Sequence, residues 1–315
     1  MIRKIQAVSP GHSGLSQAEM CHPGPMVRGA HPILPCVLVV AALAAACANQ
    51  PPPAAGPPTT SPPVPQPPRP PDPTSTPTSR PAAAWRVGAR PLPLRPDGFG
   101  QVLPTPAALR NRRLPTIDRL PPPTGDRFKA TVRPIGPAVR ARMGATWRPG
   151  CPVPLADLRY VTVSFQGFDG RPHTGELVVH QRVADQLVSV FAQLHQARFP
   201  IEEMRLVTTA DLRAPPTGDG NNTAAFVCRR ARKQTRWSAH AYGLAVDLNP
   251  FQNPYRRGDL VLPELASAYL DRDRQRPGMI RPGDLVTKAF AAIGWSWGGT
   301  WRSPTDHMHF SATGS

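Results

Sequence analysis

Ser238-Ala239-His240-Ala241-Tyr242-Gly243-Leu244-Ala245-Val246-Asp247 is the stretch on which the reading of this chain turns. The odd offset between His240 and Asp247 would put them on opposite faces of a regular strand, and a helix would set them on one face but ~10 Å apart. Neither element alone lets both side chains reach a common point. A loop bearing His240, a sharp change of direction at Gly243 and a strand ending in Val246-Asp247-Leu248 would do so, because glycine tolerates the backbone angles of such a turn. Asp247 lies between two apolar residues, so its carboxylate points out of an otherwise buried strand, a costly placement unless a cation offsets the charge.

Further along, Asp306-His307-Met308-His309-Phe310 poses the same geometric question, and a loop entering a short strand at Met308-His309-Phe310 would turn both an acid and an imidazole toward one ion. A catalytic zinc site needs three ligands of the His/Asp/Glu/Cys type, a position left for water, and a nearby carboxylate to take the water's proton. His240, Asp247 and His309 are the candidate ligands and Asp306 the candidate base, with His307 a rival to His309. The helical His-Glu-x-x-His pattern is absent from the sequence. His173, His180 and His195 sit beside ordinary apolar residues and read as packing or surface positions, while His12, His22 and His31 fall in the leader.

The chain has 315 residues and 44 prolines, crowded toward the N-terminal half, so far less of it than its length suggests should be globular, and a single folded domain is expected. The apolar run from Ile33 to Ala46 is short for a bilayer span and ends in small residues before Cys47, as a signal-peptide core does. Leu43-Ala44-Ala45-Ala46-Cys47 resembles a bacterial lipobox, which would lipidate Cys47 and anchor the chain to a membrane; ordinary signal-peptidase cleavage is the alternative. Met26-Val27-Arg28 makes a normal start for such a leader, so translation is expected to begin at Met26 and residues 1–47 to be leader. Residues 48–114 read as a spacer. From Gln50 to about Pro81 there is Pro, Thr, Ser and Ala with almost no large apolar side chain, a composition that runs as polyproline II at ~3.1 Å per residue. Residues 82–114 are transitional, and the folded domain is expected over 115–315. Of the cysteines, only Cys151 and Cys228 lie beyond the leader; in an exported chain such a pair is most simply a disulfide, worth ~4 kcal/mol in the chain-entropy account.

Within the domain, Leu158 to Phe165 and Thr174 to His180 alternate with period two around the turn-like Phe168-Asp169-Gly170-Arg171, which predicts a β-hairpin. Val183, Leu187, Val190, Phe191 and Leu194 predict an amphipathic helix ending near Phe199-Pro200. Met204 to Val207 and Ala225 to Arg229 read as short strands, residues 217–222 as a loop, and Val286 to Ile293 as a second helix. This mixed order without a βα repeat predicts an α+β fold with a small, largely antiparallel sheet and flanking helices.

The pattern Ser-x-His-x-x-Gly-x-Ala-x-Asp followed by Asp-x-x-His-Phe resembles the zinc D-alanyl-D-alanine carboxypeptidase family, the VanY-like group with the hedgehog/D,D-peptidase fold. Asn221 to Arg229, Asn249 to Tyr255 and Gly294 to Trp301 carry further likeness, which spans about residues 115–312. The resemblance implies Zn2+ held by His240, Asp247 and His309, Asp306 as general base, and an arginine on an upstream strand assisting the oxyanion, most simply Arg229, with Arg230 and Arg232 as alternatives. Many members carry Pro-Trp or Pro-Met where this chain has His307-Met308, which keeps His307 in view as a ligand. Ser238, Tyr242 and a tryptophan of the Trp295, Trp297 and Trp301 cluster, foremost Trp297, are expected to border the substrate groove, with core packing the competing role for the tryptophans.

The implied activity is that of an exported zinc peptidase acting on peptidoglycan stem peptides, foremost a D-alanyl-D-alanine carboxypeptidase. An L-alanyl-D-glutamate endopeptidase of the same fold and a non-catalytic wall-binding module are the rivals. The net charge of +17, from 37 Lys and Arg against 20 Asp and Glu, suits anionic wall polymers or a membrane surface. Nucleic acid is not an expected partner, since the sequence has neither a helix-turn-helix pattern nor aromatics interleaved with the basic residues.

Overall fold

The computed structural model describes residues 85–232 and 234–314. The leader, the start at Met26, the lipobox cysteine and the proline tract lie outside the described residues.

Period-two alternation produces the expected hairpin. Strand β1 (Ala130–Pro134) is followed by helix α1 (Pro137–Met143), then β2 (Leu158–Gln166) and β3 (Pro172–His180), which form an antiparallel sheet in the order β1-β2-β3. At the β2–β3 turn the Asp169 carboxylate accepts from the Arg171 backbone N–H and Gly170 takes a positive φ of 76°. Helix α2 (Ala184–Gln196) lays Leu187, Val190, Phe191 and Leu194 on this sheet, all of them buried. Those side chains recur at three and four residues, so one stripe of the helix faces the core.

Two short strands follow, β4 (Glu203–Met204) and β5 (Asn222–Thr223), paired in parallel, with the one-turn helix α3 (Thr209–Arg213) between them. Thr208 and Asp211 form a reciprocal capping box at the start of α3, a local signal that the hydrophobic pattern does not carry. The strand expected at Ala225 to Arg229 is absent. That segment bonds to neighbouring turns instead of a strand, with Val227 N–H donating to the His240 carbonyl and Cys228 N–H to that of Thr146.

The C-terminal half supplies β6 (Ala245–Asp247), β7 (Tyr255–Arg257), β8 (Leu260–Leu262), helix α4 (Leu285–Ala292), β9 (Ser296–Trp297), β10 (Thr305–Asp306) and β11 (His309–Ser311). They form two further antiparallel sheets, β6-β11-β9 and β10-β7-β8. The main core lies between the hairpin, α2, α4 and the β6-β11-β9 sheet, where Phe290 of α4 stacks on Phe310 of β11 with ring centroids 3.9 Å apart. The architecture is therefore α+β and largely antiparallel.

The N-terminal boundary of the fold differs from the expected 115. Residues from Trp85 onward already pack on the domain as an arm. Trp85 Nε1 donates to Asp219 at 2.9 Å, Leu92 N–H to the Pro216 carbonyl at 2.8 Å, and Gly100 N–H to Glu264 at 2.9 Å. Leu109 is fully buried, and Arg112, 2% exposed, forks onto Glu202 at 2.6 and 2.7 Å while donating to the Asp219 carbonyl. Asn221 Nδ2 completes the shell of Glu202 at 2.8 Å. Breaking one side of such a buried pair leaves an uncompensated charge, so Arg112→Ala should cost ~3–5 kcal/mol of unfolding free energy, measurable by urea denaturation. A loss under ~1 kcal/mol would show that the arm is not integral to the fold. The Cys151–Cys228 disulfide, with Cα atoms 5.8 Å apart, ties the loop before β2 to the segment carrying Arg229.

Candidate metal centre

The His240 segment has the expected loop, turn and strand. A 3-10 turn over Ala239–Tyr242 begins at Ser238, whose Oγ accepts from His240 N–H, and ends at Gly243 in the left-handed conformation, φ 67°. Gly243 is needed twice over: its φ is costly for any other residue, and a Cβ there would lie 2.5 Å from the backbone nitrogen of His180. The chain then enters β6, and Asp247 pairs in register with His309 at the start of β11. Antiparallel pairing thus places an acid and an imidazole from distant parts of the sequence side by side.

His240 Nδ1 donates to the Ala225 carbonyl, which fixes the proton on that nitrogen and leaves Nε2 with its lone pair facing the cleft. His240 Nε2, His309 Nδ1 and Asp247 Oδ1 form a triangle with sides of 3.2, 3.0 and 3.2 Å. Three ligand atoms at ~2.0–2.1 Å from a tetrahedral ion stand ~3.3 Å apart, so this donor set fits a zinc-sized cation closely. Burial opposes ionisation of Asp247, but the two imidazoles outweigh it and hold the carboxyl well below the usual carboxylate range. Among the described residues, His240, Asp247 and His309 are the group able to hold a metal ion.

Asp306, on β10 and paired with Tyr255 of β7, lines the same cleft of about 600 Å³. Its Oδ1 is buried with no hydrogen-bond partner, an acceptor left over for something that enters the cleft. Burial and the neighbouring Asp247 charge push its carboxyl up to about 7, offset in part by His309, Arg232 and Arg229. His307 is not with the ligands. Its ring packs 5.8 Å from that of Trp297, and burial together with the Arg272 charge pushes it down to about 4.

Arg229, Ser238 and Trp301 line the cleft, and the Trp301 ring lies 5.5 Å from that of His309. Two expected groove residues do not line it. Trp297, 7% exposed, is part of the main core, where its Nε1 donates to the His307 carbonyl, and Tyr242 packs against the same core. Trp301 is the tryptophan at the site; its neighbours in sequence carry no sign of this, because core and groove draw on the same aromatic residues. Arg230 stacks on Trp237 at 3.8 Å and bonds the Thr235 carbonyl, away from the ligands. Arg232, an alternative on sequence grounds, joins Arg229 in the cleft.

No curated protein and no solved structure matches the chain. Residues 231–312 match the family model described as D-alanyl-D-alanine carboxypeptidase, a stretch that contains all three ligands and Asp306 and leaves out the arm, the hairpin and Arg229. The His240, Asp247 and His309 triad lies inside that match, so residues 231–312 carry a domain similar to the D-alanyl-D-alanine carboxypeptidase family together with a donor set able to hold a metal ion.

Proposed function

We propose that this protein is an exported zinc D,D-carboxypeptidase that trims peptidoglycan stem peptides. The observation that carries the reading is the donor triangle with Asp306, whose buried Oδ1 has no hydrogen-bond partner, lining the same cleft. Zinc held by His240 Nε2, Asp247 and His309 Nδ1 would supply Lewis acidity, making water acidic and the substrate carbonyl electrophilic. Asp306 accepts the proton of the attacking water and hands it to the departing amine. A nearby cation lowers the proton affinity of this carboxyl, so an acid pushed up to about 7 by its own pocket comes into the range of a working base near neutral pH. Arg229, fixed beside the disulfide, stabilises the oxyanion, an electrostatic contribution of ~3 kcal/mol in comparable sites. Ser238 shapes the site by holding the His240 turn.

The disulfide supports an oxidising compartment, and the apolar run before Cys47 supports export, with lipidation of Cys47 as the anchoring route. The surplus of arginine supports attraction to anionic wall polymers. Digestion of purified peptidoglycan by the zinc-loaded protein, followed by mass analysis, tests the reading. Release of free D-alanine is expected. New D-glutamate amines would make it an L-alanyl-D-glutamate endopeptidase, and no release at all would leave a wall-binding module.

A further inference from the structure

Of the five arginines lining the cleft, Arg229, Arg232, Arg236 and Arg257 have no carboxylate hydrogen-bonded to them among the described residues, and Arg229 and Arg232 are the two whose charge acts on Asp306; Arg229 donates only a long bond to the Arg230 carbonyl. By contrast Arg205, also in the cleft wall, is held by Asp211 at 2.8 Å and Glu203 at 2.7 Å. Arg232 remains open to solvent, yet its guanidinium is seated. Its central carbon stands 5.1 Å from the Phe99 ring centre and 5.8 Å from that of Tyr255. A guanidinium over aromatic faces keeps its N–H edge available, and that edge matches the two oxygens of a carboxylate.

The seat has two origins. Tyr255 belongs to β7 and pairs with Asp306 across the sheet, so Arg232 stands on the Asp306 side of the cleft. Phe99 comes from the N-terminal arm, far outside the family match, and packs behind the wall formed by Tyr255, Leu262 and Met308. The arm is clamped around it: Arg95 N–H donates to the Phe99 carbonyl, Arg95 pairs with Asp259 at 3.0 Å, and Gly100 N–H bonds Glu264.

We propose that Arg232 binds the free C-terminal carboxylate of the peptide being cleaved and that Phe99 of the arm is its positioning residue. The proposal deepens the peptidase reading and rests on it. Asp306 must face the departing amine to protonate it, and in a C-terminal residue the carboxylate is one Cα beyond that amine. An anion entering there meets Asp247 and Asp306, and needs a cation on the Asp306 side to offset them. Arg232 is that cation, whereas Arg229 sits on the segment whose backbone bonds the His240 loop. The pair divides the work: Arg229 serves the oxyanion and Arg232 the leaving residue. Selection for a chain end over an internal bond follows from the second contact.

The test uses the full zinc-loaded protein and two substrates, a peptide ending in D-alanyl-D-alanine and its C-terminal amide. Wild type should cleave the acid preferentially. Arg232→Gln should raise KM for the acid on the order of 10- to 100-fold, the loss of a charge-assisted contact, with kcat and bound zinc nearly unchanged and the amide unaffected. Arg232→Lys should recover part of the preference, and Phe99→Leu should shift KM the same way by less, with no added effect on top of Arg232→Gln. Calorimetric binding of acid and amide to the Asp306→Asn protein gives the same comparison without turnover. An unchanged acid-to-amide ratio in Arg232→Gln, or an equal fall in kcat on both substrates, overturns the proposal. Should zinc-loaded wild type cleave neither, the peptidase reading itself fails first.

Discussion

Asp306→Asn is expected to keep its metal and to lower kcat by ~10²–10⁴, the range lost when a positioned acid–base group is removed. The substitution preserves shape, and Asp306 is not one of the three ligand residues, so metal content measured on the purified variant should equal that of wild type. A second effect should accompany it and has the opposite sign for stability. In the metal-free protein, burial and Asp247 raise the Asp306 carboxyl from 3.8 to about 7. Stability tied to its protonated form is therefore present below 3.8 and is lost progressively as pH rises to about 7. Asn carries no such charge. Chelator-treated Asp306→Asn should accordingly be more resistant to urea than chelator-treated wild type at pH ~8, with the gap closing at pH ~4. Full turnover in the variant would remove Asp306 from the mechanism, and a variant less stable at the higher pH would refute its electrostatic description.

Loss of Asp247 should be at least as damaging, by a different route. Asp247→Ala removes one ligand and leaves His240 Nε2 and His309 Nδ1 facing each other at 3.2 Å without the carboxylate between them. Metal affinity should fall by more than the ~10–100-fold that loss of a merely supporting residue causes, and activity should vanish at ordinary zinc concentrations. The wild-type protein stripped by a chelator should lose activity likewise and regain it with zinc. In the stripped protein the depressed Asp247 carboxyl contributes stability above its unfolded value of 3.8, lost as pH falls through the lower folded value. Stripped Asp247→Ala should lack that acid-limb transition. Stoichiometric zinc in Asp247→Ala, found by elemental analysis, would show that the triangle is not the metal site.

Local periodicity made the hairpin and α2 readable, because a strand's alternation and a helix's apolar stripe are properties of consecutive residues. The arm was not readable for the converse reason. Trp85, Phe99 and Arg112 lie among prolines and charges that suggest open chain, and they become structural only through Asp219, Tyr255 and Glu202, all far away in sequence. An arginine destined for burial looks like any surface arginine until its carboxylate partner is in place. The tryptophans make the same point: Trp297 fills the core and Trp301 faces the cleft, though composition treats them alike.

Sequence alone singled out His240 and Asp247 with the turn at Gly243, since these are constrained by chemistry and backbone geometry that operate over a few residues, and it named His309 with His307 as its rival. Tertiary structure removed the rival His307, because only the pairing of β11 against β6 sets which imidazole opposes Asp247. It also decided which cations share the cleft. Long arginine side chains can reach in many directions, and the aromatic seat that orients Arg232 is assembled from segments that meet only when the chain has folded.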